Sequence, residues 1–238
     1  MGPGRLTPAV KLLIITNLLV FVVNLIVPMM TLRLGLQPQA VFEHFAIWQP
    51  VTYMFLHDTG GVGHILINML ALSMFGTELE RTWGTRFFTK YYFVTGIGAA
   101  VTSLILSMFV DGIYYSVTVG ASGAIYGLLL GYGLYFPNRP IYLYFIFPIP
   151  AKYFVMIVGA IAFISALGGP GGGVAHTAHL GGLLVGYVYL TGLRARPFDE
   201  IKYRWLRWKM GRARSRFDVH TGGRSDEDWK NDWKKHIH

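Results

Sequence analysis

Cysteine is absent from the sequence, which excludes disulfides, thiol nucleophiles and Cys-ligated zinc or iron–sulfur centres, and leaves the redox compartment open. Charge is nearly as scarce. Only 14% of the 238 residues are Asp, Glu, Lys or Arg, where a soluble domain carries about 25%. Acidic residues are the scarcer sign, 12 against 21 Lys and Arg, and long stretches hold neither. That balance argues against a cytosolic enzyme and for an integral membrane protein. Histidine, serine and a few carboxylates remain for chemistry.

A helix needs about 20 apolar residues to cross the hydrocarbon, so the gaps between charges mark the candidate spans. Lys11 to Arg33 encloses LLIITNLLVFVVNLIVP, Asp58 to Glu78 encloses HILINMLALSMFG, and Lys90 to Asp111 holds YYFVTGIGAAVTSLILSMFV. Asp111 to Arg139 contains VGASGAIYGLLLGYGLYF. From Lys152 to Arg194 the run is too long for one span, and GGPGGG at 168–173 divides it into YFVMIVGAIAFISAL and VAHTAHLGGLLVGYVYL. Six spans are expected, the first retained because no small-residue cleavage site follows it and its apolar run is too long for a signal peptide. All but one of the 21 basic residues then fall on one side, Arg33 being the exception. That bias predicts both ends in the cytoplasm.

The sequence divides into a six-span region, 1–193, and a basic cytoplasmic tail, 194–238. Within the first, residues 31–62 are too apolar for a solvated loop and are expected to lie in the membrane interface. In the tail, Ile201, Trp205 and Trp208 share one face of a basic amphipathic helix suited to anionic lipid. Nothing beyond this charge run points to nucleic acid.

Polar groups within spans are expensive and usually functional. They are few here: His64 and Asn68 in span two, Ser122 in span four, His176 and His179 in span six. These spans all run from outside to inside, and each group falls in the first turn or two, so at 1.5 Å per residue all lie about 6–8 Å below the outer surface. Gly123, Gly127 and Gly131 in span four, and Gly182 and Gly186 in span six, form small-residue stripes that let two helices approach closely. Contact along them would bring Ser122 towards His179.

A serine hydroxyl becomes a nucleophile when a neighbouring base takes its proton, and a neutral histidine can do so. The attack also needs donors for the developing oxyanion. His64 and Asn68, spaced i, i+4 on one helix face, and the Ser122 amide in the Gly120-Ala121-Ser122-Gly123 turn can supply them. Tyr126, one turn below Ser122, is placed to pack on the His179 ring. With no carboxylate in this layer, a Ser-His dyad is expected rather than a triad; Asp58 and Glu43 in the first loop are poorly placed third members. Plainer readings exist for each group alone: a serine bonded to the preceding turn, Asn68 as helix–helix glue, or His64, His176 and His179 as metal or haem ligands. The metal reading lacks a carboxylate or Cys and leaves the glycine-flanked serine without a role.

Taken together, His64-x-x-x-Asn68, Gly120-x-Ser122-Gly123 with Tyr126, and Ala178-His179-x-x-Gly182-x-x-x-Gly186 resemble the rhomboid intramembrane serine proteases. The resemblance covers nearly all of residues 8–193, including YMFLH at 53–57 and the stretch Glu80 to Gly84. It implies an all-α, six-helix rhomboid fold of the basic form, without a seventh span or a preceding soluble domain. Ser122 would be the nucleophile, His179 the general base, and His64, Asn68 and the Ser122 amide the oxyanion hole, with Gly120, Gly123 and Tyr126 in support. It places the base on His179 rather than His176 and implies no cofactor or metal. The expected activity is endopeptidase cleavage of transmembrane segments of other membrane proteins near the outer face of the bilayer. A multi-pass protein of a prokaryotic plasma membrane would fit, and a non-catalytic rhomboid-like protein that binds membrane clients is the alternative. Trp48-Gln49 stands where many members have Trp-Arg. The loop at 168–173 is a candidate flexible cap.

Overall fold

The computed structural model describes residues 5–143, 146–167 and 173–195. The chain divides into two compact units, Met1–Gly192 and Leu193–His238, and the architecture below is that of the first. The tail helix and the 168–172 part of the glycine loop lie outside the described residues.

Helix α1 (Pro8–Ile26) starts on a proline in its first turn, where the missing N–H costs nothing. Its buried residues, Ala9, Val10, Leu13, Asn17, Phe21 and Asn24, form one stripe. Leu12, Leu18, Leu19, Val22, Leu25 and Ile26 on the other faces are exposed. An apolar helix with no water-facing side is built for lipid. Among the described residues α1 is the one helix both long and apolar enough to cross a membrane by that test alone.

The first loop follows as three short helices, α2 (Met29–Leu34), α3 (Pro38–His44) and α4 (Gln49–Thr52). Gln49 is buried and pins them: its Oε1 accepts the Gln37 N–H at 2.9 Å, and its Nε2 reaches the Arg33 carbonyl at 3.4 Å. Trp48 Nε1 donates to the same carbonyl at 2.9 Å. A neutral amide thus ties the loop through backbone hydrogen bonds at the position where many members of the family it resembles have Arg.

Helix α5 (Gly63–Ala71) continues through a widened π turn at Leu72–Gly76 into α6 (Thr77–Trp83). Nothing in the residue pattern announces that turn. At its far end the Glu80 carboxylate caps α1 across the fold, accepting the Ala9 and Val10 N–H groups at 3.0 Å each and the Thr85 hydroxyl at 2.7 Å. Helix α7 (Thr85–Ser107) is central, burying Phe88, Tyr91, Tyr92, Thr95, Gly96, Ala99, Ala100 and Ser103. Short helix α8 (Asp111–Tyr114) leads to α9 (Ser122–Tyr135), then α10 (Ala151–Leu167) and α11 (Gly173–Ala195).

One feature differs from the sequence expectation. The chain is not all-helical: Pro140–Leu143 (β1) and Phe147–Pro150 (β2) pair as an antiparallel hairpin between α9 and α10. Pro140, Pro148 and Pro150 break helix formation there, and β-branched and aromatic residues favour strand. Helix α9 opens at Ser122 itself, within the first turn or two where the sequence placed it. The segment before it is extended, because Leu36 and Thr118 exchange backbone hydrogen bonds at 2.9 and 2.8 Å as an isolated bridge.

Candidate active site

The approach to Ser122 is fixed by the first loop. Below the Leu36 and Thr118 bridge, Gly120 N donates to the Tyr53 carbonyl at 2.9 Å, and Tyr53 is anchored by its hydroxyl on the Gly96 carbonyl of α7 at 2.7 Å. Gly120 has φ +124°, a conformation that side chains resist. A Cβ there would also sit 2.9 Å from His64 Nε2. Glycine is therefore required twice over, and the sharp turn starts α9 with the Ser122 side chain facing α11.

Helices α9 and α11 touch where both lack side chains. A Cβ on Gly182 would collide with the Gly123 carbonyl, and one on Gly186 would lie 3.4 Å from the Gly127 Cα. This contact sets His179, one turn before Gly182, against Ser122: His179 Nε2 and Ser122 Oγ are 2.8 Å apart. Tyr126 lies flat on the imidazole, with centroids 4.1 Å apart and planes inclined by 8°. The spacing of the two glycine stripes pointed to this contact.

His64 and Asn68 face the same space from α5. The Asp58 N–H approaches His64 Nδ1 at 3.4 Å, so Nδ1 is the accepting nitrogen and the neutral ring carries its proton on Nε2, the edge that faces Gly120. Asn68 Nδ2 donates one hydrogen to the His64 carbonyl at 2.7 Å, the helix-internal bond expected of a polar residue in an apolar span, and retains a second hydrogen. Ser122, His179, His64, Asn68 and Tyr126 all line one cavity of about 340 Å³. The rest of its wall is apolar: Ile67, Ala71 and Phe75 from span two, Ile125 and Leu129 from α9, Phe154 and Val158 from α10.

The carboxylates of the first loop are engaged elsewhere. Glu43 accepts from the Tyr114 hydroxyl at 2.9 Å and from Gln39 at 3.0 Å, and Asp58 Oδ1 accepts from Gly60 N at 3.0 Å. Among the described residues no three His, Asp or Glu side chains gather closely enough to hold a metal ion.

His57 is a polar neighbour that the sequence reading passed over as part of an apolar motif. It is fully buried and sets its ring edge-on to His64, centroids 5.1 Å apart. Both its nitrogens lack a hydrogen-bond partner among the described residues. Burial pushes its imidazole down to about 4, the nearby His64 adds to this, and the Phe55 backbone, outside hydrogen-bonding geometry, offsets a part.

A histidine-paired serine at the polar end of an apolar cleft, in a helical membrane protein, defines a class of candidate serine hydrolases. The Rhomboid domain profile matches residues 44–196. RHOMBOID-like protein 4 of Arabidopsis thaliana is 30% identical over 193 residues, covering 79% of this chain and 44% of that protein. Rhomboid protease AarA of Providencia stuartii is 30% identical over 157 residues, 58% of this chain and 53% of that protein. Rhomboid protease GluP of Bacillus subtilis is 32% identical over 148 residues, 61% and 26% respectively. The chain belongs to the rhomboid family, whose members are polytopic membrane proteins and include bacterial proteases. It spans about half or less of the length of the curated relatives it matches first.

Proposed function

We propose that this protein is an intramembrane serine endopeptidase that cleaves transmembrane segments of other membrane proteins, with Ser122 as nucleophile and His179 as general base. The observation that carries the reading is the 2.8 Å approach of His179 Nε2 to Ser122 Oγ at the head of a cavity whose wall, beyond His64, Asn68 and Tyr126, is apolar. As Ser122 Oγ attacks the scissile carbonyl, its proton passes to His179 Nε2. The oxyanion forms against His64 Nε2–H, the free Asn68 amide hydrogen and the Ser122 N–H. Collapse returns the proton from His179 to the leaving amine, and a water, deprotonated by the same nitrogen, then hydrolyses the acyl-enzyme. Gly120 and Gly123 allow the close packing, and Tyr126 holds the base.

The membrane placement belongs to the same proposal. Six spans are carried by α1, the α5 to α6 run, α7, α9, α10 and α11, with residues 31–62 in the outer interface, 1–193 forming the catalytic region and 194–238 a cytoplasmic tail beside cytoplasmic termini in a plasma membrane. Helix α9 has 14 residues, about 21 Å at 1.5 Å each, against a hydrocarbon core of about 30 Å. If its C-terminal end reaches the inner surface, Ser122 lies about 9 Å below the outer one, where water from outside can reach it. A substrate helix must unwind to present a carbonyl there, so small or helix-breaking residues are expected at the cut.

Cleavage of a model transmembrane substrate by full-length protein in liposomes tests the reading, with Ser122→Ala and His179→Ala as separate variants. Loss of cleavage in both, and of fluorophosphonate labelling in Ser122→Ala, is expected. Persistent cleavage in either refutes the dyad, and a native protein that binds clients but neither cleaves nor labels is the non-catalytic alternative.

A further inference from the structure

Proton transfer from Ser122 to His179 Nε2 requires that nitrogen unprotonated, so the neutral ring must carry its hydrogen on Nδ1. In a Ser-His-Asp site a carboxylate accepts that hydrogen. Here His179 Nδ1 is buried and has no hydrogen-bond partner among the described residues, and the first-loop carboxylates are occupied elsewhere. A buried donor left unmatched is costly, and the other tautomer, with its hydrogen on Nε2, would disable the base.

His176 sits one turn before His179 on α11. Its ring stands edge-to-face with the His179 ring, centroids 5.5 Å apart and planes at 79°. Its Nδ1 is also buried and also without a hydrogen-bond partner among the described residues. Two buried nitrogens on adjacent rings are thus left over at one place, one needing an acceptor and the other able to be one. Two hydrogen bonds of about 2.8 Å through a single water oxygen bridge nitrogens up to about 5.6 Å apart, a span that suits rings at this separation.

We propose that His176 is a positioning residue for the general base: through one bridging water, its Nδ1 takes up the His179 Nδ1–H and holds the tautomer whose Nε2 faces Ser122. The inference rests on the Ser122 and His179 reading above. His179 donates to the water, and the water donates to His176 Nδ1, whose own hydrogen is on Nε2. When His179 accepts the serine proton, the same chain supports the imidazolium, and no proton moves beyond His179. Tyr126 fixes the plane of the ring and His176 its rotation within that plane.

The test measures kcat and KM separately for a fluorogenic transmembrane substrate in liposomes, using full-length native protein, His176→Asn, His176→Leu and Ser122→Ala. The Asn amide occupies the position of the histidine Nδ1 and restores an acceptor, whereas Leu fills the space without one. His176→Leu is expected to lower kcat roughly tenfold with KM changed less than about twofold, and His176→Asn to keep kcat within about threefold of native. A Leu variant within about twofold of native in kcat, a loss carried by KM, or equal losses in Asn and Leu would overturn the proposal. If His176→Leu fails to fold, His176→Ala, which removes the acceptor without adding bulk, is compared with Asn on the same criteria. Residual cleavage by Ser122→Ala would instead refute the dyad reading, and this inference with it.

Discussion

Replacing Gly182 with alanine is the smallest change expected to silence the proposed site without altering a reacting group. The added Cβ would run into the Gly123 carbonyl and stand 2.9 Å from its carbon and 3.4 Å from its Cα. These are backbone atoms on a packed helix and cannot swing aside as a side chain would. Ordinary carbon contacts lie near 3.5–4.0 Å, so α11 must move off α9 by about 1 Å. His179 shares a helix face with Gly182 and moves with it, while Ser122 is fixed from α9. The 2.8 Å approach then stretches beyond hydrogen-bonding range. A misplacement of about 1 Å can cost about 10²-fold in rate, and overpacking of this kind costs about 1–3 kcal/mol of stability. Cleavage in liposomes and the fluorophosphonate labelling rate of Ser122 should fall together by about that factor, with thermal unfolding showing the protein still folded. Gly192, whose added Cβ would meet nothing within 4 Å, is the matched control, and Gly192→Ala should cleave normally. If Gly182→Ala retains activity within about threefold, the glycine contact does not set the serine-histidine distance and the reasoning fails.

Replacing Tyr126 with leucine removes the ring stacked on His179; an aromatic pair worth about 0.5–1.5 kcal/mol predicts a roughly two- to tenfold fall in kcat, which Tyr126→Phe should restore. Glu80→Ala leaves two α1 backbone N–H groups and the Thr85 hydroxyl without their acceptor, and the expected loss of about 2–4 kcal/mol should appear as a lowered Tm in detergent while cleavage persists below it. His57, held near 4 in the folded protein against an ordinary 6.5, keeps its full stabilising share above pH 6.5 and loses it as pH falls towards 4, by at most about 3 kcal/mol. His57→Leu should therefore flatten the stability profile over that interval, and an unchanged slope would place the acid sensitivity in other groups.

The helices were legible because charge is so sparse that its gaps outline them. Three features were not. The hairpin at 140–150 is uncharged and apolar, indistinguishable by composition from the spans beside it, and only its prolines hint that it cannot be helix. The π turn at 72–76 leaves no mark in LSMFG, since Leu72, Phe75 and Gly76 are buried there as they would be on many helix faces. Gln49 read as a lost charge, whereas its buried amide makes backbone hydrogen bonds that a sequence motif cannot display.

At the candidate site most polar residues were legible for the same reason the charges were, since they stand out in an apolar chain; His57, at the end of the apolar motif YMFLH, did not. The lining that gives the cavity its shape was not legible, because Phe75, Phe154 and Val158 look like any lipid-facing residue until Phe154 of α10 is stacked on Phe75 of the π turn. The glycines lie between these cases, since their spacing announced a close helix contact but not its consequence for the chemistry. With no carboxylate at hand among the described residues, the orientation of His179 in the proposed dyad would fall to three neutral features: the bare contact of Gly182 with Gly123, the flat face of Tyr126 and the edge of His176. Each is neutral and acts at short range, the first two by shape and His176 through its acceptor nitrogen, so salt should matter little to any of them. That is the opposite of what a buried ion pair at the base would give, and it follows from a site assembled inside a membrane where a lone charge is expensive.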